Sequence, residues 1–332
     1  MITRFIFVSA FMVLMLSACQ PVTDDAVNPS GPYLGQEPPG DIPQVFAPGF
    51  ISKGYHERGI TFSPEGDELF YLMSDASYQY STIVYTKMKN GVWSDPEIAS
   101  FSGIYKDIEP IFSPDGRKLF FTSLRPLPGQ TEPRKDSDIW MMERSGDSWG
   151  QPVNLGSPVN TTSHEGLPSV AEDGTLYFQA RYDPKKPFDL YYAVYEDGEY
   201  QAPQRLPDGI NTEYNEAGPF IAPDGRYLLF HSNRPGSMGV MDIYASYRCA
   251  DGQWSEPVNL GAPVNSPASD FDPRVSPDGK YLFFSSYRGL DADSLYRKNY
   301  GEALRQLQRP ENGYATIFWV DAGVIDRLDP CE

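Results

Sequence analysis

The sequence predicts an all-β protein, a five-bladed β-propeller of four-stranded antiparallel blades. The first observation is a repeated turn, Ser-Pro-Asp-Gly or a close variant. Its glycines stand 50, 58, 51 and 54 residues apart, at Gly66, Gly116, Gly174, Gly225 and Gly279. The second is the composition, since 31 Pro, 29 Gly and 14% aromatic residues fit many turns between packed sheets. A period of about 40 to 60 residues built from short strands is typical of propellers rather than helical solenoids.

Each repeat begins with a hairpin. An apolar run leads into the turn, where Pro presets φ and Gly supplies the positive φ that other residues resist. A second apolar or aromatic run follows, as in Leu119-Phe120-Phe121 and Leu282-Phe283-Phe284. Two such runs separated by a turn predict the first and second strands of a blade.

A third and a fourth strand complete the repeat. The third has the form Asp138-Ile139-Trp140 or Asp242-Ile243-Tyr244. The fourth is expected where an aromatic residue is followed by Pro, at 93–96, 149–152, 200–203 and 254–257. Because Pro lacks the amide hydrogen that a ladder needs, this strand is predicted at the outer edge of the blade.

The two ends of the repeat array are complementary. Segment 42–49 precedes the first full repeat yet resembles a fourth strand, and the last repeat stops after its third strand at 315–321. An N-terminal strand that completes the last blade closes the ring and leaves no open sheet edge. A single propeller is therefore predicted over residues 41–330.

These motifs resemble the TolB-type, WD-like β-propeller repeat family. The resemblance rests on the Ser-Pro-Asp-Gly turn, the Phe-Phe strand followed by Ser-x-Arg, the Asp-Ile-Tyr strand and the Trp-x-x-Pro segment. It covers about residues 41–330 and implies the propeller fold. It leaves the function open, because propellers serve as enzymes, binding modules and scaffolds.

The N-terminus predicts export and lipid anchoring. The apolar run from Phe5 to Leu16 is too short to span a bilayer comfortably and is typical of a secretory signal. The end of this run resembles the bacterial lipoprotein signal, which implies removal of residues 1–18 and lipidation of Cys19. Residues 19–40, rich in Pro, Gly, Asp and Asn, are predicted to form a flexible tether. The propeller is expected in the periplasm or at the cell surface, held at the outer membrane by lipid alone; an ordinary signal peptide with an incidental Cys is the alternative.

Net charge limits the classes of binding partner, and the cysteine count bears on a possible disulfide. The net charge of −18 argues against nucleic acid and against electrostatic docking on anionic lipid. With Cys19 lipidated, Cys249 and Cys331 remain as an even pair in an exported protein. Both are expected on one face of neighbouring blades, where they either form a disulfide or stay free. We expect a monomer.

The start of each innermost strand is expected at the mouth of the central channel. An acid stands there in every blade, at Glu57, Asp107, Glu165, Glu216 and Asp270. His56 and His164 precede two of these acids, and His231 follows the second strand of blade four. Imidazole and carboxylate groups together could bind a divalent cation. The favoured interpretation is structural, in which the acids pair with the arginines of the Ser-x-Arg segments, Arg125, Arg181, Arg234 and Arg288.

The last repeat carries an insertion at about 289–313. Its Leu, Ala and Gln content favours a short helix. Because it joins strands two and three, it should rise on the face of the channel mouth as a basic cap over the acidic ring. The favoured interpretation is nevertheless a surface insertion without a role in binding.

Two functions of different classes remain. The first is a non-catalytic envelope lipoprotein that binds a protein or a glycan and needs no cofactor; the sequence lacks the Gly-x-Ser-x-Gly, His-Glu-x-x-His and phosphate-loop motifs. The second is a metal-dependent carbohydrate-active enzyme, a polysaccharide lyase or a glycosidase, as resemblance to propeller lyases and glycosidases implies. Its acid or base would be Glu57, Glu165 or Glu216, and its metal ligands His56, His164 and His231.

Overall fold

The computed structural model describes residues 28–289 and 299–331. Five antiparallel sheets surround a central channel, and each innermost strand contacts the innermost strands of both neighbouring blades. The predicted all-β, five-bladed propeller of four-stranded blades is confirmed.

Strands are numbered in chain order, and the first of them belongs to the last blade. Blade five consists of β1 (Gln44–Val45) at the edge and three later strands described below. Blade one contains β2 (His56–Phe62), β3 (Glu68–Ser74), β4 (Ser81–Lys89), the short β5 (Val92–Trp93) and β6 (Glu97–Ile98). Blade two contains β7 (Asp107–Phe112), β8 (Lys118–Ser123), β9 (Asp138–Ser145), the short β10 (Ser148–Trp149) and β11 (Val153–Asn154).

The remaining blades follow the same order from the channel outwards. Blade three contains β12 (His164–Val170), β13 (Leu176–Arg181), β14 (Asp189–Ala193), the ribbon β15 (Tyr195–Glu196) and β16 (Glu199–Tyr200), and β17 (Gln204–Arg205). Blade four contains β18 (Glu216–Ile221), β19 (Tyr227–Ser232), β20 (Asp242–Tyr247) and β21 (Val258–Asn259). Blade five adds β22 (Asp270–Val275), β23 (Tyr281–Ser286) and β24 (Thr316–Asp321) to β1.

Helices are few and short. A 3₁₀ turn spans Pro32–Gly35, α1 spans Tyr300–Leu307 and α2 spans Gly323–Asp326. Helix α1 lies in the predicted insertion, and Asn299 caps it by accepting a hydrogen bond from the Glu302 amide at 3.1 Å. Within the described residues, no helix is long and apolar enough to cross a membrane.

The ring is closed by pairing between the two ends of the propeller. Gln44 pairs with Trp319 and Val45 with Phe318, so β1 is the outer strand of blade five. The amide of Phe46 extends this ladder by donating to the Ile317 carbonyl at 2.9 Å. The outer edge of β24 is thus covered, as the sequence predicts.

The fourth strands do not lie at the aromatic residue of each Trp-x-x-Pro segment. Trp93 and Trp149 lie in β5 and β10, which fold back on the ends of β4 and β9. The outer strands begin after the Pro, at β6 and β11. The reason is that β4 and β9 extend past the body of the blade, so a second hairpin turn is needed before the chain can return along the outer edge.

The chain before β1 packs on the propeller. The Trp93 indole donates to the Gly31 carbonyl at 2.9 Å, and Leu34 is only 7% exposed. Tyr33 packs edge-to-face against the rings of Phe62 and Tyr281. The part of the predicted tether within residues 28–40 is therefore bound chain, while residues 19–27 and the predicted signal 1–18 lie outside the described residues.

The core is divided between the blades. Five buried apolar clusters fill the five interfaces between neighbouring sheets. At the C-terminus, Ile325 of α2 packs into the cluster between blades four and five, and its carbonyl accepts a hydrogen bond from the Tyr247 hydroxyl at 2.6 Å. Cys249 and Cys331 form a disulfide, with their Cα atoms 5.1 Å apart, so the C-terminal segment is tied to blade four.

Candidate functional site

The acids at the start of the innermost strands are buried at the channel mouth. Three of them accept hydrogen bonds from the Ser-x-Arg arginine of their own blade. The nitrogen to oxygen distances are 2.7 Å for Arg125 and Asp107, 3.1 Å for Arg234 and Glu216, and 2.7 Å for Arg288 and Asp270. These ion pairs hold the strand start against the end of the second strand, which is a structural role.

Blade three departs from this pattern. Glu165 accepts from the Thr161 hydroxyl at 2.5 Å and from the Thr161 amide at 3.1 Å. Arg181 lies over the Phe188 ring at 4.8 Å and forms no ion pair with a described residue. Among the described residues, Arg181 therefore lacks the ion pair that the sequence predicts. Its guanidinium stacks on an aromatic ring instead.

The acid of blade one has no arginine partner among the described residues. Glu57 is 2% exposed, and its Oε1 accepts from the amides of Lys53 and Tyr55 at 3.2 and 3.3 Å. Its Oε2 has no hydrogen-bond partner among the described residues. Burial raises the pKa of Glu57 from its ordinary value of 4.5 to about 7.

Glu57→Gln should therefore stabilise the protein at alkaline pH. The folded state binds the Glu57 proton more tightly than the unfolded chain, so wild type loses stability as pH rises from about 4.5 to about 7. We expect the variant to be about 1–3 kcal/mol more stable than wild type at pH 8 and unchanged near pH 4. Urea unfolding at both values measures this. Glu216→Gln is the matched control and should destabilise the protein at pH 8, since it breaks the ion pair with Arg234. If the stability difference between Glu57→Gln and wild type were the same at pH 4 and pH 8, the raised pKa of Glu57 would be contradicted.

The three histidines have separate surroundings. His56 packs among the rings of Tyr78, Tyr287 and Tyr314 at the mouth. His164 Nδ1 accepts from the Ser137 amide at 3.3 Å. Burial lowers the pKa of both imidazoles below the usual value.

His231 lies deeper than the sequence predicts. It is inside β19 and points into the channel, where its ring meets Phe271 and its Nδ1 accepts from the Asp272 amide at 3.3 Å. Burial lowers its pKa to about 3, so the ring is neutral. In the part of the chain that the structure describes, no three His, Cys, Asp or Glu side chains are grouped as metal ligands.

The centre of the channel holds a charged cluster that the repeat pattern does not predict. Each innermost strand has a bulge two residues after its mouth acid, at a residue with positive φ; these residues are Gly59, Glu109, Leu167, Gly218 and Asp272. The bulge turns the side chains of Glu109 and Asp272 towards the channel axis. Both are at most 2% exposed.

Arg58 joins the two carboxylates. Its Nη2 lies 2.7 Å from Glu109 Oε1, and its Nε lies 3.4 Å from Asp272 Oδ2. The guanidinium is also 5.2 Å from the centre of the Tyr78 ring and 5.3 Å from that of Phe271. Burial, and then the charge of Asp272, raise the pKa of Glu109. We call Arg58, Glu109, His231, Asp272 and Arg274 the channel cluster.

Two of the bulge glycines make room for this cluster. A Cβ on Gly59 would lie 2.3 Å from Glu109 Oε2, and a Cβ on Gly218 would lie 2.5 Å from the His231 ring. The backbone is at φ 58° at both positions, a conformation that glycine adopts without strain. The close approach of backbone to side chain thus requires glycine twice.

A cavity of about 440 Å³ lies between the channel cluster and the Ser-Pro-Asp-Gly turns. We call the side of the propeller formed by these turns the turn face. The cavity is lined by the second half of the innermost strands, including Ile111, Phe112, Val170 and Phe220, and by Arg274 at the channel cluster.

The opposite side, which we call the loop face, consists of the loops before the innermost strands and between strands two and three. Ten of the fourteen exposed large apolar side chains in the described residues lie there: Tyr55, Tyr80, Ile104, Tyr182, Met238, Val240, Tyr300, Leu304, Leu307 and Tyr314. Eight of these ten belong to blades four, five and one, which are consecutive in the ring. The loop face is therefore the more apolar surface of the propeller.

No family model and no curated protein matches the chain. Solved structures match it at low identity. A protein described as TolB from Agrobacterium tumefaciens is 22% identical over 70% of each chain, with a TM-score of 0.46. An α-L-arabinofuranosidase from Lactobacillus brevis is 12% identical over 81% of this chain and 91% of its own, and an endo-arabinase from Bacteroides thetaiotaomicron is 14% identical over 71% and 91%, both with TM-scores of 0.47.

The sequence repeats predicted the blades of this propeller but not its channel cluster. The sequence did contain a signal for the cluster, because the residue types of the five innermost strands differ at the bulge and at the position two residues after it. Arg274 stands where the other blades have Thr61, Ile111, Ser169 and Phe220. A charge in one blade out of five departs from the repeat, and such a departure is where a site is expected.

Proposed function

We propose that this protein is a non-catalytic envelope lipoprotein that holds another protein on its loop face. The observation that carries the proposal is the concentration of exposed apolar side chains there, eight of them on three consecutive blades. Exposed contiguous apolar surface rimmed by polar residues marks interaction sites on soluble domains.

Helix α1 supplies the most specific part of this surface. Its apolar residues Tyr300, Ala303, Leu304 and Leu307 have the i, i+3, i+4, i+7 spacing of one helix face. No residue of α1 is buried, and Tyr300 and Leu307 are 82% and 51% exposed. Among the described residues nothing buries this apolar face, and an amphipathic helix exposed in this way is suited to recognition by a groove.

The insertion that carries α1 is fixed to blade one. Asn312 donates to the Gly54 carbonyl at 2.8 Å, and Tyr314 lies 4.9 Å from the ring of His56. The helix and the exposed Tyr55 thus belong to one surface. A fixed surface loses less conformational entropy when it binds.

The chemistry of the loop face favours a protein over a glycan. Aromatic side chains stack on sugars and proteins alike, but the aliphatic side chains of Ile104, Val240 and Leu307 are suited to apolar protein side chains. Arg305 and Arg309 flank the stripe of α1 and form no ion pair with a described residue. The partner therefore offers an apolar groove bordered by acidic groups.

Four of the five mouth carboxylates do not favour the carbohydrate-active enzyme as a second function, and the fifth, Glu57, is only 2% exposed. Asp107, Glu216 and Asp270 are buried in ion pairs, and Glu165 is held by Thr161. A catalytic acid or base must reach a substrate proton at hydrogen-bond distance. Lipidation of Cys19 and location at the outer membrane are part of the proposal, on the strength of the sequence motif at 16–19.

Site-specific photocrosslinking in cells that make the protein tests the proposal. A photoreactive amino acid at position 304 or 240 should give an adduct of one defined mass, and one at the exposed position 117 on the turn face should not. Leu304→Glu with Leu307→Glu should abolish the adduct formed from position 240, while Cys19→Ser tests anchoring with the loop face unchanged. Adducts of equal yield from position 117, or adducts that a glycan hydrolase removes, would overturn the proposal.

A further inference from the structure

The first described residues of the chain are paired with a hairpin of blade one. The Trp93 amide donates to the Pro29 carbonyl at 2.9 Å. The Gly31 amide donates to the Gly91 carbonyl, also at 2.9 Å. These bonds attach residues 29–31 to the hairpin that joins β4 to β5.

This hairpin stands at the turn-face end of blade one. In the ladder between β3 and β4, Lys87 pairs with Glu68, which closely follows Gly66 of the turn. Strand β4 therefore reaches the turn face at Lys87, and its hairpin lies beyond that point. The N-terminal segment thus joins the propeller on the turn face.

A second contact holds the same segment across the turn face. The Tyr33 hydroxyl donates to Asp278 Oδ1 at 2.8 Å, and Asp278 belongs to the Ser-Pro-Asp-Gly turn of blade five. The Gln36 side chain then donates to the Val45 carbonyl at 2.9 Å, next to the ladder that closes the ring. The fold therefore fixes the side of the propeller from which the N-terminal tether departs.

The chain between the lipidation site and the propeller is short. Nine peptide units connect Cys19, lipidated as proposed above, to Asn28, and a chain of that length reaches at most about 32 Å. The seven residues of β3 alone span about 20 Å between the two faces. For the loop face to contact the membrane, the tether would have to pass along the whole blade almost fully extended, which costs conformational entropy.

We propose that the turn face lies against the lipid headgroups of the membrane and that the loop face points away from them. Within the described residues, none of the fourteen exposed large apolar side chains belongs to the five turns. The turn face instead exposes charges of both signs, such as Glu65, Arg117 and Asp224. Such a surface is suited to hydrated headgroups and does not enter the hydrocarbon. The orientation rests on the proposed lipid anchor and leaves the loop face accessible to a protein partner.

Collisional quenching by nitroxide lipids tests this orientation. The lipidated full-length protein is bound to vesicles of phosphatidylethanolamine and phosphatidylglycerol that contain a lipid with a nitroxide on its headgroup. One introduced cysteine is labelled with a fluorophore under non-reducing conditions, so the native disulfide stays closed. The labelled variants are Arg117→Cys and Glu172→Cys on the turn face, and Val240→Cys and Leu304→Cys on the loop face. Turn-face labels should be quenched at least about twofold more than loop-face labels, because the two faces are about 20 Å apart.

Two variants separate the orientation from the anchor. Cys19→Ser should not float with the vesicles, which tests lipid anchoring itself. Insertion of about 40 Gly and Ser residues after Val22 adds a tether with a root-mean-square reach of about 35 Å, so it should keep flotation and remove most of the difference between the faces.

The outcomes distinguish the two proposals. Equal quenching at both faces of a protein that floats, or stronger quenching at the loop face, would overturn the orientation while lipid anchoring remains supported. A wild-type protein that does not float would overturn both. Since the vesicles contain no partner protein, failure of the proposed binding on the loop face does not affect this result.

Discussion

Arg58→Met is expected to destabilise the protein by about 3–5 kcal/mol, because it leaves two buried carboxylates without their shared cation. Glu109 and Asp272 are both at most 2% exposed, and Arg58 contacts both. Methionine fills much of the volume of the arginine stem but supplies neither charge nor donors. Urea unfolding at pH 8 measures the loss.

The pH dependence distinguishes this effect from simple loss of packing. Burial already raises the pKa of Glu109, so without Arg58 this carboxyl binds its proton more tightly in the folded state than in the unfolded chain. The destabilisation should therefore shrink as pH falls from 8 towards 4. Adding Glu109→Gln to Arg58→Met should recover part of the loss, because one buried charge is removed with its partner.

The matched control is Arg226→Met. Arg226 pairs with Asp326 at 2.8 Å, but its side chain is 51% exposed. An exposed pair contributes about 0–1 kcal/mol, so this variant should be close to wild type. Similar losses for Arg58→Met and Arg226→Met would show that the channel cluster contributes no more than a surface pair.

Phe46→Ala should cost about 3–5 kcal/mol and loosen the closure of the ring. Phe46 is fully buried directly after β1, and its ring lies 5.1 Å from that of Phe283 and 5.3 Å from that of Trp319. Strand β1 has only two residues and forms few ladder hydrogen bonds. The Phe46 side chain therefore fixes this N-terminal strand on blade five. Urea unfolding and the rate of proteolysis before residue 50 are the measurements.

Ile42→Ala is the control for Phe46→Ala. Ile42 belongs to the same segment but is 72% exposed. Its truncation should change stability by less than about 0.5 kcal/mol and leave proteolysis unchanged. A Phe46→Ala variant with wild-type stability would mean that β1 contributes little to closure.

The repeat predicted the fold because each blade is specified locally. Turns such as Ser276–Gly279 have a fixed chemistry, and the runs on either side have strand periodicity, so hairpins follow from short segments. Ring closure followed from counting strands at the two ends. The fourth strand was misplaced at Trp93 and Trp149, because sequence periodicity does not show that the third strand extends into a second hairpin.

The candidate site was harder to predict because a bulge decides it. Alternation along β7 and β22 gives no indication that Glu109 and Asp272 turn towards the channel, since the bulge changes the register there. The mouth acids, in contrast, were visible because they recur in every blade. Recurrence finds the residues that build a propeller, whereas Arg58 and Arg274 are found only by their departure from the repeat.

The position of β1 also decides the order in which the molecule can be completed during synthesis. Blades one to four are each made of consecutive chain, so each can form soon after its own residues emerge. Blade five needs residues 44–45, which are made before the other strands, and residues 316–321, which are made after them. A chain halted before residue 316 therefore has β23 without its outer neighbours and β1 without a partner, two unpaired edges that invite aggregation or proteolysis. Strand β24 thus acts as a check that only chains that extend past residue 321 become closed rings.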